Sequence, residues 1–591
     1  MLFAAYIGTD TGLPAWCDAV QRHAAWLGLT SREASHALED GRVFAFAGQD
    51  AILPYGPEYL LLGTSDGILP SQDVKTTEAL RQWLTDEQPP VEIRIGVSLH
   101  TGELLAAVPP CSVEQLCFAT IPGGWALSDD LRFLARLVGA ELDEVSVYGL
   151  FRHGIVLSPM TLFKRIQCVP GGHLLRIAPD SEAPSLEVYF HLSPPAGGEP
   201  QPALAEAKVR DILDEILATA PLSSIVHFSG GMDSSLVAAR LAAMGRKDVT
   251  LVNYAFGPQD AAGKKALKIA AHLGLRCEQI MWDPAGIPAV LGRLGKDYPA
   301  PFSDPSLVPG NLLAHASLPL VEKSRTTIHA VGTGGLFSQR LQLREKLKPL
   351  YDIPVPLRRA AGGAYRWFRL WHRDSETERA LGFLRRTLEG PTTTPPRAGV
   401  HPMDGIAYKV PEAVSACLSD TLRYHAQAFV GGRKTVEGTL GMALYMQRQL
   451  SAITAGPLGA RGARAFGAFT EPRMLRCALS LQLEEKCPGG LPRGVLHNLL
   501  ARSLPSEWIY GPGGSFLAPF EEIYAHPAMR QLANDVVLSR QNPLLGFCNA
   551  RVVKEMLMRT MGGQPVCIRA RKFLWTFVFA SGWLYQINRE M

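Results

Sequence analysis

The sequence predicts two domains of different class. A mostly β, α+β domain spans residues 1–192, an exposed link spans 193–203, and an α/β domain with a parallel sheet and a helical C-terminal part spans 204–591. Three observations predict this. The chain has 591 residues and is 47% apolar, too long for one ordinary core and too apolar for disorder. The stretch HLSPPAGGEPQPA at 191–203 is too rich in Pro and Gly for regular structure. The rhythm of apolar residues also changes across it.

Before the break, short apolar runs alternate with turn signals: RVFAFAG, YLLLGTSDG, EIRIGVSLHTGELLAAV, GGWALSDD and GGHLLRIAP. That spacing suits strands with a few helices between them. After the break, a β-type run from Ser224 to Phe228 meets a Gly pair and a helical run from Ser234 to Met244. A second strand, Val249 to Phe256, precedes the helical KKALKIAAHLG. A third, TTIHAV, ends at Val331 on another Gly-rich turn. Strand and helix alternating in this way predict a parallel sheet covered by helices. Ligands of such sheets bind at the carboxyl ends of the strands, where both Gly-rich turns fall.

Residues 340–386 differ again, with Arg and Lys interleaved with Trp367, Phe368 and Trp371. The segment reads as a grip for an extended or acidic peptide, or as a solvated amphipathic helix with its aromatics in the core. From about Pro411 onward apolar positions recur at helical spacing, broken by AGPLGARGARAFG. The C-terminal FLWTFVFASGWLYQI is too short for a membrane span and reads as a buried helix.

Composition excludes several classes. Lys and Arg number 59 against 55 Asp and Glu, a net charge of +4, so no whole-protein field attracts nucleic acid or a membrane. The ten Cys are scattered, and the close pair Cys111 and Cys117 lacks metal spacing. The 15 His show no metal spacing either. The opening MLFAAYIGTDTG has neither the basic nor the long apolar region of a signal peptide. A soluble chain in the reducing cytoplasm is the expectation.

The chemistry concentrates in Ser229-Gly230-Gly231-Met232-Asp233-Ser234-Ser235, which follows a strand and opens a helix. Glycines let the backbone approach an anion closely. Free amides at a helix start, with the dipole behind them, stabilise phosphate charge. The Ser229 and Ser234 hydroxyls can donate to phosphate oxygens, and Asp233 can hold a Mg2+ that shares them. No Lys follows, so this is not the loop that supports γ-phosphate transfer.

This segment resembles the pyrophosphate loop (PP-loop) of ATP pyrophosphatases, and the rest of the chain resembles the asparagine synthetase superfamily. Gly124-Trp125-Ala126-Leu127, Thr161-Leu162-Phe163 and Val169-Pro170-Gly171-Gly172-His173 resemble its N-terminal Ntn-hydrolase-like domain. Ala330-Val331-Gly332-Thr333-Gly334-Gly335 resembles its second nucleotide loop, and Ala468-Phe469-Thr470-Glu471-Pro472-Arg473 echoes its Pro-Phe-Leu-Asp-x-Arg segment. The resemblance implies ATP and Mg2+ as cofactors. Ser229, Gly230, Gly231, Asp233 and Ser234 would hold phosphate and metal, while Gly332, Thr333 and Gly334 would flank the nucleotide and the reacting carbonyl. Asp233 and Thr333 are the catalytic candidates.

Departures from the family pattern narrow the function. Glutamine-dependent members cut glutamine with a Cys at position 2; here it is Leu2, and Tyr55-Gly56-Pro57-Glu58 replaces Arg-Gly-Pro-Asp. Without a thiolate there is no covalent glutamyl step, so the N-terminal domain reads as a degenerate remnant. β-Lactam synthetases and lasso-peptide cyclases share this feature, because their nucleophile is an amine already in the substrate. In the second loop, Leu336 and Phe337 stand where an acidic magnesium ligand is usual, and Gly511-Pro512-Gly513-Gly514-Ser515-Phe516 lacks the Lys of Arg-Pro-Lys-x-Gly-Phe. Asp304, Lys486, Arg493, Arg569 and Lys572 are the candidate substitutes.

The resulting expectation is a lasso-peptide cyclase that forms an isopeptide macrolactam by adenylating an Asp or Glu side chain of a precursor peptide. Its partners would be that peptide and leader-peptidase or accessory proteins, with no nucleic acid and no membrane. An ammonia-dependent asparagine synthetase, a small-molecule lactam synthetase, and a nucleotide-binding scaffold without turnover are the alternatives.

Overall fold

Alternation of apolar side chains builds the N-terminal part as stacked layers. The computed structural model describes residues 4–27, 32–39, 42–48, 53–55, 59–63, 76–85, 93–112, 114–178, 181–191, 198–304, 306–321, 326–337, 354, 357, 407–430, 452–459, 463–509, 519–564, 566 and 568–589. Its first twelve strands are β1 (Ala4–Gly8), β2 (Arg32–Ala37), β3 (Val43–Gly48), β4 (Leu53–Tyr55), β5 (Tyr59–Gly63), β6 (Arg94–Ser98), β7 (Leu104–Val108), β8 (Cys117–Ile121), β9 (Gly124–Ser128), β10 (Ile166–Cys168), β11 (His173–Ile177) and β12 (Ser185–Val188). They form two six-stranded sheets, ordered β10-β8-β9-β1-β3-β2 and β12-β11-β7-β6-β5-β4. Every pairing in them is antiparallel.

In β1, Ala5 and Ile7 face Leu60, Ile95, Val97 and Leu175 of the other sheet, whereas Ala4 and Tyr6 face Trp16 and Val20 of the Leu13–Leu27 helix. The second sheet turns Tyr59, Leu61, Leu105 and Leu174 to Leu80 and Leu84 of the Thr77–Thr85 helix. The period of two thus sorts one residue set inward and the other outward. The outcome is a helix–sheet–sheet–helix sandwich, consistent with the mostly β reading.

The second part is built on β13 (Ile225–His227), β14 (Thr250–Ala255), β15 (Arg276–Met281), β16 (Thr326–His329) and β17 (Arg464–Gly467). They form one parallel sheet ordered β15-β14-β13-β16-β17. Val226, Leu251 and Ile328 point to the helices Pro202–Ala218, Met232–Ala243 and Ala261–His272. Ile225, Val252 and Tyr254 point to Leu313 and Ala314 of the Leu307–Val321 helix and to Leu458. The chain leaves β13 toward β14 on one side and reaches β16 on the other, so the topological switch point lies between β13 and β16.

The C-terminal Ile568–Arg589 helix buries Trp575, Phe577, Phe579 and Trp583 in one core with the N-terminal helices Leu131–Val138 and Glu144–His153. Phe151 meets Phe573 and Phe577 at ring-centroid distances of 5.5 and 5.7 Å. This is the buried aromatic helix expected from sequence, and among the described residues no helix is long and apolar enough to cross a membrane. Arg132 ties the two parts together. It grips buried Asp130 through Nε and Nη2 and donates through Nη1 to the carbonyls of Gly295 and Lys296. Residues 192–197, most of the basic-aromatic stretch and 511–518 lie outside the described residues.

Candidate functional site at the switch point of the parallel sheet

The loop after β13 is shaped by glycine and serine. Gly230 has φ +68, and a Cβ there would lie 2.9 Å from Ala266 Cα in the neighbouring helix, so only glycine fits without a shift. Gly231 caps the twelve-residue Met232–Ala243 helix with φ −76 and ψ 167. The Gly231 amide donates to Ser229 Oγ at 3.2 Å, and the Ser229 amide donates to Ser234 Oγ at 3.2 Å. These serines satisfy loop amides that a phosphate oxygen can take over. From below, Asn253 Nδ2 donates to the Phe228 carbonyl at 2.8 Å, and Gln279 Nε2 donates to Asn253 Oδ1 at 2.9 Å.

The second Gly-rich turn arrives from β16. Gly332 has φ +127 and caps the Thr333–Leu336 turn; Thr333 is buried, while a Cβ on Gly334 would meet open space. Leu336 and Phe337, which stand where the family pattern has an acid, are wholly buried and pack in the core with Ile328 and Phe469. They anchor the turn instead of presenting a ligand.

A third element closes the site. Arg493 has φ +54 and stands at the N-cap of the Gly494–Ala501 helix, whose Leu496, Leu499 and Leu500 share a core with Leu236 and Val237. Its Nη1 lies 3.3 Å from Asp233 Oδ1 and 3.5 Å from Thr333 Oγ1. Burial raises the Asp233 pKa above the ordinary carboxylate value, and the Thr333 hydroxyl and Arg493 charge pull against that. Left-handed backbone at a non-glycine residue is a strained state that functional sites retain.

The structure therefore brings Ser229, Gly230 and Gly231 of the loop together with Asp233 and Ser234 of the first helical turn, with Thr333 and Arg493 converging on Asp233. Of the five substitutes for the missing lysine, Arg493 alone is shown at Asp233. Lys572 faces Asp304. Lys486 is buried near Cys477 and Cys487, and burial lowers its pKa to about 8. The Arg569 side chain lies outside the described residues. Glu471 caps its own helix, accepting from the Arg473 amide at 2.8 Å.

Sequence reasoning missed two groups beside this crevice. His227 and His329 end β13 and β16 with ring centroids 5.0 Å apart. Both His227 nitrogens are shut from solvent without a partner, and burial lowers the pKa of His227 well below its ordinary value and that of His329 to about 4. Tyr254, Phe256 and Trp282 form an aromatic cluster at the ends of β14 and β15, with centroid distances of 5.6 to 6.5 Å. Their position just before Gly-rich turns or at strand ends was the available signal.

At Asp233 the structure places the Thr333 hydroxyl and the Arg493 guanidinium, so the oxygen ligands the protein offers a Mg2+ here are one carboxylate and one hydroxyl. Among the described residues no group of three or more His, Cys, Asp and Glu could hold a metal. Asp233 is the carboxylate that would hold a magnesium ion whose other ligands came from a bound nucleotide.

This is an α/β domain with two Gly-rich turns at its topological switch point. Residues 209–334 and 460–584 match the asparagine synthase family model. The search of curated proteins gave no match. Among solved structures, the chain is similar to an NH3-dependent NAD synthetase from Campylobacter jejuni at 21% identity, covering 23% of this chain and 59% of that one, with a TM-score of 0.18. It is also similar to glutamine phosphoribosylpyrophosphate amidotransferase from B. subtilis at 10% identity, covering 47% and 65%, with a TM-score of 0.20. A further match is an allosteric regulatory enzyme of purine biosynthesis, at 8% identity, covering 47% and 80%, with a TM-score of 0.21. The chain thus spans less than two thirds of the first two proteins it matches.

Proposed function

We propose that the protein is an ATP-dependent amide-forming ligase that closes an isopeptide macrolactam in a precursor peptide, as lasso-peptide cyclases do. The observation that carries this is the convergence of the Ser229–Ser234 loop, Thr333 and Arg493 on one crevice. A carboxylate oxygen of an Asp or Glu side chain attacks the α-phosphorus of ATP, and the bond to the β-phosphate oxygen breaks. Pyrophosphate leaves with that electron pair. The freed peptide α-amine then attacks the acyl carbon and loses a proton as AMP departs.

The residues of this chain hold the ends of that reaction. Amides of the loop and the Ser229 and Ser234 hydroxyls bind the β- and γ-phosphates, and Arg493 adds positive charge where the leaving group forms. Asp233 anchors magnesium, which when bound neutralises phosphate charge. Gly332, Thr333 and Gly334 flank the nucleotide. The four-layer N-terminal part supports the reading of residues 1–192 as a degenerate Ntn-hydrolase-like domain, and Leu2 in place of a Cys supports an amine supplied by the substrate rather than ammonia cut from glutamine. Leader-peptidase or accessory proteins would deliver the peptide.

A second reading is a scaffold that binds ATP without turnover, favoured by the burial of Leu336 and Phe337 where an acid is usual. Incubation of a candidate precursor peptide with ATP and Mg2+ separates the two. The cyclase reading expects loss of one water from the peptide and one pyrophosphate per ring. ATP binding with no pyrophosphate release would leave the scaffold reading.

A further inference from the structure

The contact between Arg493 and Asp233 occupies the carboxylate that a metal would need. The two are the described ion pair of this crevice, with side chains about one-third exposed at 33% and 29%. Release of Asp233 is left to rotation of the Arg493 side chain, because the backbone at Arg493 is fixed. Its carbonyl accepts from the Leu496 and His497 amides at 3.0 and 3.1 Å. Gly494 approaches Pro488 so closely that a Cβ would lie 2.8 Å from Pro488 Cδ. The helix beyond is locked to the helix that carries Asp233 through a shared apolar core. A guanidinium placed 3.3 Å from Asp233 Oδ1 excludes a cation from the same carboxylate by charge and by volume. It exchanges to a polyphosphate readily, since phosphate oxygens match its fork at least as well as a single carboxylate oxygen at 3.3 Å.

We infer that Arg493 is an autoinhibitory latch on Asp233, which keeps divalent cations off the loop until a triphosphate draws the guanidinium away. Metal and nucleotide then bind with positive coupling, each favouring the state in which the other's ligand is free. The latch rests on the proposed function for the identity of the polyphosphate, but not for the exclusion of metal.

The test uses the full chain and Mn2+ alone, with binding read by electron paramagnetic resonance. Arg493→Gly suits the left-handed backbone at this position, and Arg493→Lys keeps the charge. Wild type and Arg493→Lys should bind Mn2+ weakly, and Arg493→Gly should bind one ion per chain on the order of tenfold more tightly. Asp233→Asn added to Arg493→Gly should remove that gain. Equal Mn2+ affinity in wild type and Arg493→Gly, or a gain that survives Asp233→Asn, overturns the latch. ATP binding to wild type in EDTA, measured by equilibrium dialysis, tests the nucleotide reading separately: its absence defeats the proposed function whatever Mn2+ does.

Discussion

The Arg493 guanidinium lies 3.3 Å from the Asp233 carboxylate, although 260 residues separate them in the chain. The pair fastens the helix start after the Gly-rich loop of β13 to the helix that starts at Gly494. Removing the carboxylate should therefore remove function before it removes the fold. Asp233→Ala is expected to lower pyrophosphate release by two orders of magnitude or more, as when one charge-stabilising group is deleted from a comparable site. Its far-ultraviolet circular dichroism should match wild type. Undiminished turnover would refute the role of Asp233.

Gly230 offers a test of loop shape without any change in charge. Its φ of +68 and the 2.9 Å approach to Ala266 mean that Gly230→Ala must move the loop or the Ala261–His272 helix. A cost of about 1–3 kcal/mol in stability is expected, together with a loss of ATP affinity in equilibrium dialysis. Wild-type affinity in this variant would show that the loop backbone does not approach the ligand.

The loop and the parallel strands around it were legible because they are local: a strand, a glycine pair and a helix start follow one another within about twenty residues. Other features were not. Edge strand β15 carries Arg276 and Glu278, which face solvent and break the apolar run that marks a central strand. Strand β17 hides in a Gly/Ala-rich stretch, and its pairing with β16 is set by tertiary contact. Arg493 could not be separated from four other candidates in the sequence, because what selects it is where the Pro488–Gly494 turn returns the chain.

Lys486 gives a prediction about stability. Burial lowers its pKa from 10.5 to about 8, so between those values the unfolded chain binds more protons than the folded one. Stability should then rise as pH increases from about 8 to 10.5, while below about 8 the full penalty of burying the ammonium remains. Lys486→Met should stabilise the protein at pH 7 by on the order of 3 kcal/mol. Urea titrations across that range should show a shallower pH slope for the variant.

The histidine pair predicts acid sensitivity. Burial lowers the pKa of His329 from 6.5 to about 4, so within that window the unfolded state takes up protons that the folded state refuses. Stability should fall as pH drops from 6.5 toward 4. His329→Gln, which can still meet Thr327 and Thr454, should flatten that decline. An unchanged pH slope would place the sensitivity elsewhere.

The join between the two parts of the chain should be costly to break. Burial opposes ionisation of Asp130, yet Arg132 and His23 together hold its carboxyl well below the usual range. Arg132→Ala would leave that charge buried without its main partner and should cost about 3–5 kcal/mol. Calorimetry should show a marked fall in the unfolding temperature.

The most direct test of the phosphate-binding account is a crystal structure with Mg2+ and α,β-methylene-ATP. The account predicts β- and γ-phosphate oxygens on the amides of the Gly230–Gly231 turn and on Ser229 and Ser234, magnesium on Asp233, and Arg493 turned from Asp233 to phosphate. Nucleotide bound elsewhere, or an unfilled turn with the Arg493–Asp233 pair intact at saturating nucleotide, would contradict it.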